Sequence, residues 1–236
     1  MPNHVMNRLV IDGDPETVRE LLESVQNDEK GLGTIDFNKI IPMPNSLNIE
    51  AGSNTYKGLE AYTGFIQIYT LAGSREDADM EHIPKEAEEA FLRMRKDITP
   101  EQWELGKKAY GNQSKYGAST WYEWSVNNWG TKWNAYDSAL RTPNDGRAEL
   151  SFLTAWSPPH PIIYRLSEQY PELSFSHEWA DEDIGMNCGR REYSEGCFME
   201  EYYPDGDDAA EFAYELWDAN PPDETETSQT LGGVQL

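Results

Sequence analysis

The sequence predicts an α+β protein, and three observations carry that reading. A strand-like opening runs straight into a capped helix, a Pro-Asn-Asp-Gly turn separates two strand-like runs near the middle, and a proline-opened helix leads into a further strand. The long stretch between the first helix and the turn is patterned mainly for helix.

Val5-Met6-Asn7-Arg8-Leu9-Val10-Ile11 alternates and then ends in an apolar run, as a buried strand closed by Asp12-Gly13 does. Asp14-Pro15-Glu16 supplies an N-cap, a proline at the first helical position and an early acid, and Val18, Leu21, Leu22 and Val25 recur at helical spacing. Phe37 to Pro44 is expected to be extended, because Pro42 and Pro44 exclude helix. Asn45 to Gly58 has loop composition, and Leu59 to Leu71 fits strand or helix equally. Lys85 to Lys96 places Ala87, Ala90, Phe91 and Met94 on one helical face. Thr99-Pro100-Glu101-Gln102 starts a helix expected to reach about Tyr110, and Ser119 to Asn128 gives another. Residues 45–130 therefore form a mainly helical insertion.

Lys132 to Arg141 and Ala148 to Trp156 flank the turn at Asp145-Gly146, a pair that tolerates the positive φ of tight hairpins. Pro158, Pro159 and Pro161 stop the second run and open a helix carrying Ile162, Ile163, Leu166 and Tyr170. Leu173 to Trp179 reads as the next strand. Without the insertion the order is β-α-β-β-α-β, the split βαβ or ferredoxin-like arrangement with an antiparallel sheet, over residues 1–180. Residues 181–219 read as an acidic hairpin, with its turn near Ser194-Glu195-Gly196, and a helix starting at Asp207-Asp208, both packed on that domain. Residues 220–236, rich in Pro, Thr and Ser, are expected to be a disordered tail.

The 236 residues hold 43 acids against 19 Lys and Arg, a net charge of −24. Nineteen acids and two bases, Arg190 and Arg191, lie from Glu168 onward, so the last third carries most of the excess. Such a chain repels polyanions, and direct binding to nucleic acid is not expected. The most apolar segment, Tyr62 to Ala72, is far short of the roughly 20 apolar residues that cross a bilayer. No signal peptide is expected from the start, and two cysteines, Cys188 and Cys197, suit a reducing compartment; the expected location is the cytoplasm of a bacterial host.

Three segments resemble the YubB ferredoxin-like domain family: Met1-Pro2-Asn3-His4-Val5 with Asn7 and Leu9, Asn128-Trp129-Gly130-Thr131-Lys132-Trp133-Asn134-Ala135, and Leu150-Ser151-Phe152 followed by Thr154-Ala155-Trp156-Ser157-Pro158-Pro159. The resemblance spans about residues 1–180 and implies the ferredoxin-like fold and carriage on plasmids, phages and other mobile elements. It brings no catalytic residues, and the acidic last third stands apart from it as a departure or an addition.

Two residue sets are candidates for function. Asp181, Glu182, Asp183, Glu200, Glu201, Asp205, Asp207 and Asp208 lie on the last strand, hairpin and helix, and on one face they would match a duplex in sign and rough spacing. The plainer reading is a solvated acidic face that keeps the protein in solution. The partner implied by the sharper reading is a host protein or ribonucleoprotein with a basic surface, of restriction or CRISPR type, inhibited by an acidic mimic of DNA. Trp129, Lys132, Trp133 and Asn134 form the second set, able to stack and hydrogen-bond a small molecule or nucleotide for sequestration. Their plainer reading is a packed seam between the insertion and the sheet. A hydrolase of unknown substrate is a third class, but with 43 acids the nearness of two carboxylates carries little information. Four scattered histidines and two cysteines with eight residues between them give no metal-ligand spacing, nucleotide and nucleophile motifs are missing, and neither a catalytic residue nor a cofactor or metal is expected.

Overall fold

The computed structural model describes residues 3–73 and 83–219, so the expected tail at 220–236 lies outside the described residues. The strands are β1 (His4–Asp12), β2 (Tyr136–Asn144), β3 (Arg147–Ala155), β4 (Ser174–Asp181), β5 (Gly189–Ser194) and β6 (Cys197–Tyr202). The helices are α1 (Pro15–Val25), α2 (Phe37–Ile40), α3 (Ser53–Gly73), α4 (Lys85–Met94), α5 (Pro100–Tyr116), α6 (Trp121–Trp129), α7 (His160–Gln169) and α8 (Gly206–Trp217).

All six strands form one antiparallel sheet in the order β2-β3-β1-β4-β5-β6. Its first four strands, with α1 and α7 as crossovers, have the ferredoxin-like order, and the β5–β6 hairpin extends the sheet beyond β4. Pairing of Leu9 with Leu150 and with His177 fixes the register, so Val5, Asn7, Leu9 and Ile11 share a face with Ala148, Leu150, Phe152 and Thr154 and with Phe175, His177 and Trp179. These residues are buried, as are Leu21 and Leu22 of α1, Phe37 and Ile40 of α2, and Ile162, Ile163 and Leu166 of α7. On the opposite face Met6 and Ala180 pack with Ala209, Ala213 and Leu216 of α8.

Local chemistry sets the ends of these elements. The Asp14 carboxylate accepts from the backbone N–H groups of Glu16 and Thr17 and starts α1 at Pro15. Gly146 closes the β2–β3 turn at φ 83, and its carbonyl accepts from Gly13 N at 2.9 Å.

Several expectations need correction. Phe37 to Ile40 is a short helix capped by Asp36, because the prolines lie beyond its last residue and end it without preventing it. Residues 132–135 are outside the β2 ladder. Asn134 is tied to Asp36 and Phe37, and a positive φ at Asp137 accompanies a bulge before Ala139, so pairing starts at Tyr136. The expected loop before Gly58 is helical from Ser53, and Leu59 to Leu71 resolves as helix within α3. Helix α5 runs on to Tyr116 and stops at Gly117 in the left-handed region.

By internal contacts the described residues divide into 3–42 with 128–219, and 43–73 with 83–127. In the helical unit Tyr62 and Phe65 of α3, Phe91 of α4 and Trp103 of α5 form a ring cluster with centroids 5.1–5.8 Å apart. Helices α3 and α5 cross at two glycines. A Cβ on Gly58 would lie 1.8 Å from the Gln102 carbonyl oxygen, and one on Gly106 2.1 Å from the Gly58 carbonyl carbon.

In a helix interior Gly→Ala ordinarily stabilises by up to ~1 kcal/mol, as expected for exposed Gly111, whose Cβ would meet nothing within 4 Å. Gly58→Ala and Gly106→Ala should do the reverse, losing ~1–3 kcal/mol or more because backbone must move. Denaturant titration of the three variants checks the opposite signs.

Candidate functional site

The first candidate set is assembled by β4, β6 and α8. Beyond β4 the chain turns through Ile184, which packs on the cluster of Ala180, Cys188, Ala209, Ala213 and Leu216, while the Cys188 thiol reaches the Ala209 carbonyl oxygen at 3.7 Å. The loop bearing Glu182 and Asp183 is thereby fixed on the helix whose first turn carries Asp207 and Asp208. Glu182, Asp183, Glu200, Glu201, Asp205, Asp207 and Asp208 are all exposed. Among the described residues Glu201 pairs with Arg191 at 3.2 Å, and the other six have no ion-pair partner.

Asp181 differs from its neighbours and leaves this set. It is buried, its carboxylate accepting from Asn3 Nδ2 at 3.1 Å and from Asp183 N at 2.9 Å, while its carbonyl oxygen accepts from the Trp217 indole. As the last residue of β4 it holds the loop and α8 in place, and it offers no surface charge.

The second set converges on the stretch leading into β2, and its polar atoms are largely committed to the scaffold. Buried Trp129 donates its indole N–H to the Ile41 carbonyl oxygen at 2.9 Å and packs edge-on against Phe37. The Asn134 amide accepts from Phe37 N at 2.9 Å and donates to Asp36 at 2.7 Å. Lys132 lies 4.7 Å from the Trp133 ring and 4.5 Å from that of Trp156. Trp133 and Asn134 also line, with His4 and Tyr136, a shallow hollow of about 400 Å³.

A third group escaped the sequence reading. His177 on β4 pairs with Arg191 on β5, and α7 brings His160 over both. The His160 and His177 rings are 5.6 Å apart, and His160 stands edge-on to Trp179 at 4.5 Å. His177 Nε2 meets Asn7 Oδ1 at 3.0 Å, and since Asn7 Nδ2 already donates to Thr154 and to Val5 O, the histidine is the donor. His177 Nδ1, His160 Nδ1 and Arg191 Nε are buried without hydrogen-bond partners among the described residues. Arg191 instead reaches Tyr203 Oη at 2.9 Å. A pocket of about 290 Å³, lined by His160, Pro161, Tyr164, Arg191, Tyr193 and Phe198, opens beside this group. The one hint in the sequence was that Arg190 and Arg191 are the sole bases of an acidic third.

Burial, with Arg191 adding to it, lowers the His160 pKa from 6.5 to about 3. Burial, His160 and Arg191 together hold His177 well below its ordinary value. On the far face of the sheet a hollow of about 380 Å³ contains Arg8, whose charge is met by Glu178 at 2.5 Å. No described helix is long and apolar enough to cross a membrane, and among the described residues no group of three metal-ligating side chains converges.

Residues 128–222 match the family model described as the ferredoxin-like domain in Api92-like protein. That stretch takes in β2 to β6, α7 and α8. A crystal structure of protein Api92 from Yersinia pseudotuberculosis is 13% identical, with 87% of this chain and 99% of that one covered and a TM-score of 0.45. No curated protein matches the chain.

Both histidines titrate lower in the folded chain than in the unfolded one, so unfolding takes up protons between the two values. Their contribution to stability is complete above about pH 6.5 and is lost as pH falls toward the folded values. Comparing pH-dependent denaturation of wild type with His160→Gln and His177→Gln isolates this effect from the carboxylates, which all three share. In each variant unfolding should take up as much as about one proton fewer between roughly pH 6.5 and 5, flattening the fall of stability with acid.

Proposed function

We propose that this protein is a non-enzymatic binding protein of a phage or plasmid, inhibiting a host nucleic-acid-handling defence complex of restriction or CRISPR type partly by charge mimicry. One observation carries the reading: Glu182 and Asp183 after β4, Glu200 on β6, and Asp205, Asp207 and Asp208 at the start of α8 are exposed, with no ion-pair partner among the described residues. Uncompensated surface charge contributes little to stability but strongly to the steering and complementarity of a basic partner. The mobile-element context rests on the resemblance to the YubB family. The hollow lined by Trp133, Asn134, His4 and Tyr136 favours, as a second reading, sequestration of a small planar ligand.

Charge reversal to Lys at Glu182, Asp183, Glu200, Glu201, Asp207 and Asp208 should abolish competition with DNA for a purified effector complex, with stability changed by only ~0.5 kcal/mol per site or less. Wild-type competition should weaken at least tenfold between ~50 and ~200 mM salt. Unchanged competition by the reversed variant, together with its loss on replacing Trp133, would transfer the site to the hollow.

A further inference from the structure

Strand β6 closes one edge of the sheet, and every one of its residues is exposed. The backbone groups on its outer side have no ladder partner among the described residues. Edge strands are usually protected by bulges, prolines and charge. The opposite edge follows that rule: β2 carries two register shifts, a positive φ at Asp137 and Pro143. On β6, with one irregularity, the Glu200-Glu201 pair is flanked by Phe198, Met199 and Tyr202, which are 45%, 61% and 43% exposed. Charges alone would protect an edge; large apolar side chains beside them leave apolar area uncovered. The pocket between His160 and Phe198 opens next to the strand, and strand addition uses such pockets to hold alternate side chains of the added segment.

We propose that β6 is a docking edge for an extended basic segment of a partner protein, which adds as a seventh strand. It sets lysine or arginine against Glu200 on one face of the strand and an apolar side chain into the pocket on the other. This rests on the acidic-surface reading above and gives it a binding mode. Charge selects the occupant, since a second copy would bring another −24 and repeat Glu200 and Glu201 across the new pair.

The probe is a capped ten-residue peptide of alternating lysine and valine with one central phenylalanine, titrated into the full chain in ~50 mM salt. Controls are the same peptide N-methylated at two adjacent central residues, so that neither edge offers a complete ladder, and a version with glutamate for lysine. The unmodified peptide should bind, N-methylation should weaken it at least tenfold, and the glutamate version should not bind. Equal affinity of the methylated peptide overturns strand addition and leaves the acidic surface as a charge-only site. Failure of the lysine peptide to bind overturns the docking edge, whereas the acidic-surface reading fails separately, when charge reversal leaves effector competition intact. Sedimentation showing a dimer that Phe198→Lys dissociates assigns the edge to a second copy and overturns the proposal.

Discussion

Strand β1 lies at the centre of the sheet, paired along its length with β3 on one side and β4 on the other. A strand so placed has no backbone edge open to water, and each inward residue must be apolar or fully hydrogen-bonded. Val5, Leu9 and Ile11 meet the condition by being apolar, while Asn7 meets it through Thr154, the Val5 carbonyl and His177. A slip of one residue would turn Arg8 into the core. The same register puts His177 opposite Leu9, and β5 then sets Arg191 beside His177, so the buried histidine group is a consequence of where β1 sits. Gly189 extends the chain of dependence to the hairpin, because a Cβ there would stand 2.8 Å from the Trp179 ring.

Much of this fold was legible because its punctuation is local. Asp14-Pro15, Thr99-Pro100, Asp145-Gly146 and Glu195-Gly196 each mark a boundary within a few residues, and α1, α5 and both hairpins appear where those signals fall. The errors arose where one residue type serves two purposes. Gly58 has the composition of a loop, yet it lets α3 approach α5 closely, a role that depends on Gln102 and Gly106 in another helix. Asn134 looked like a ligand-reading amide, and its partners prove to be Asp36 and Phe37, nearly a hundred positions earlier. Asp181 was grouped with seven exposed acids, although strand alternation turns it inward. The His160, His177 and Arg191 group needed the pairing of β4 with β5, which spacing alone does not reveal.

The acidic third is attached to the sheet by small residues. Ala209 and Ala213 let α8 sit close on Ala180 and Met6, and the helix presents Asp207, Asp208 and Glu211 outward. Self-repulsion among such charges costs stability, and the described ion pairs offset it at few places on this surface. Scaffold and surface are thus separable: buried rings and alanines inside, carboxylates and exposed aromatics outside.

The claim that the hairpin and α8 are the recognition surface is tested most directly by amide hydrogen exchange of the full chain, free and bound to a purified effector complex. The account predicts that protection gained on binding falls on residues 182–186 and 197–208. New protection confined to residues 129–136, with the hairpin and α8 unchanged, would contradict it.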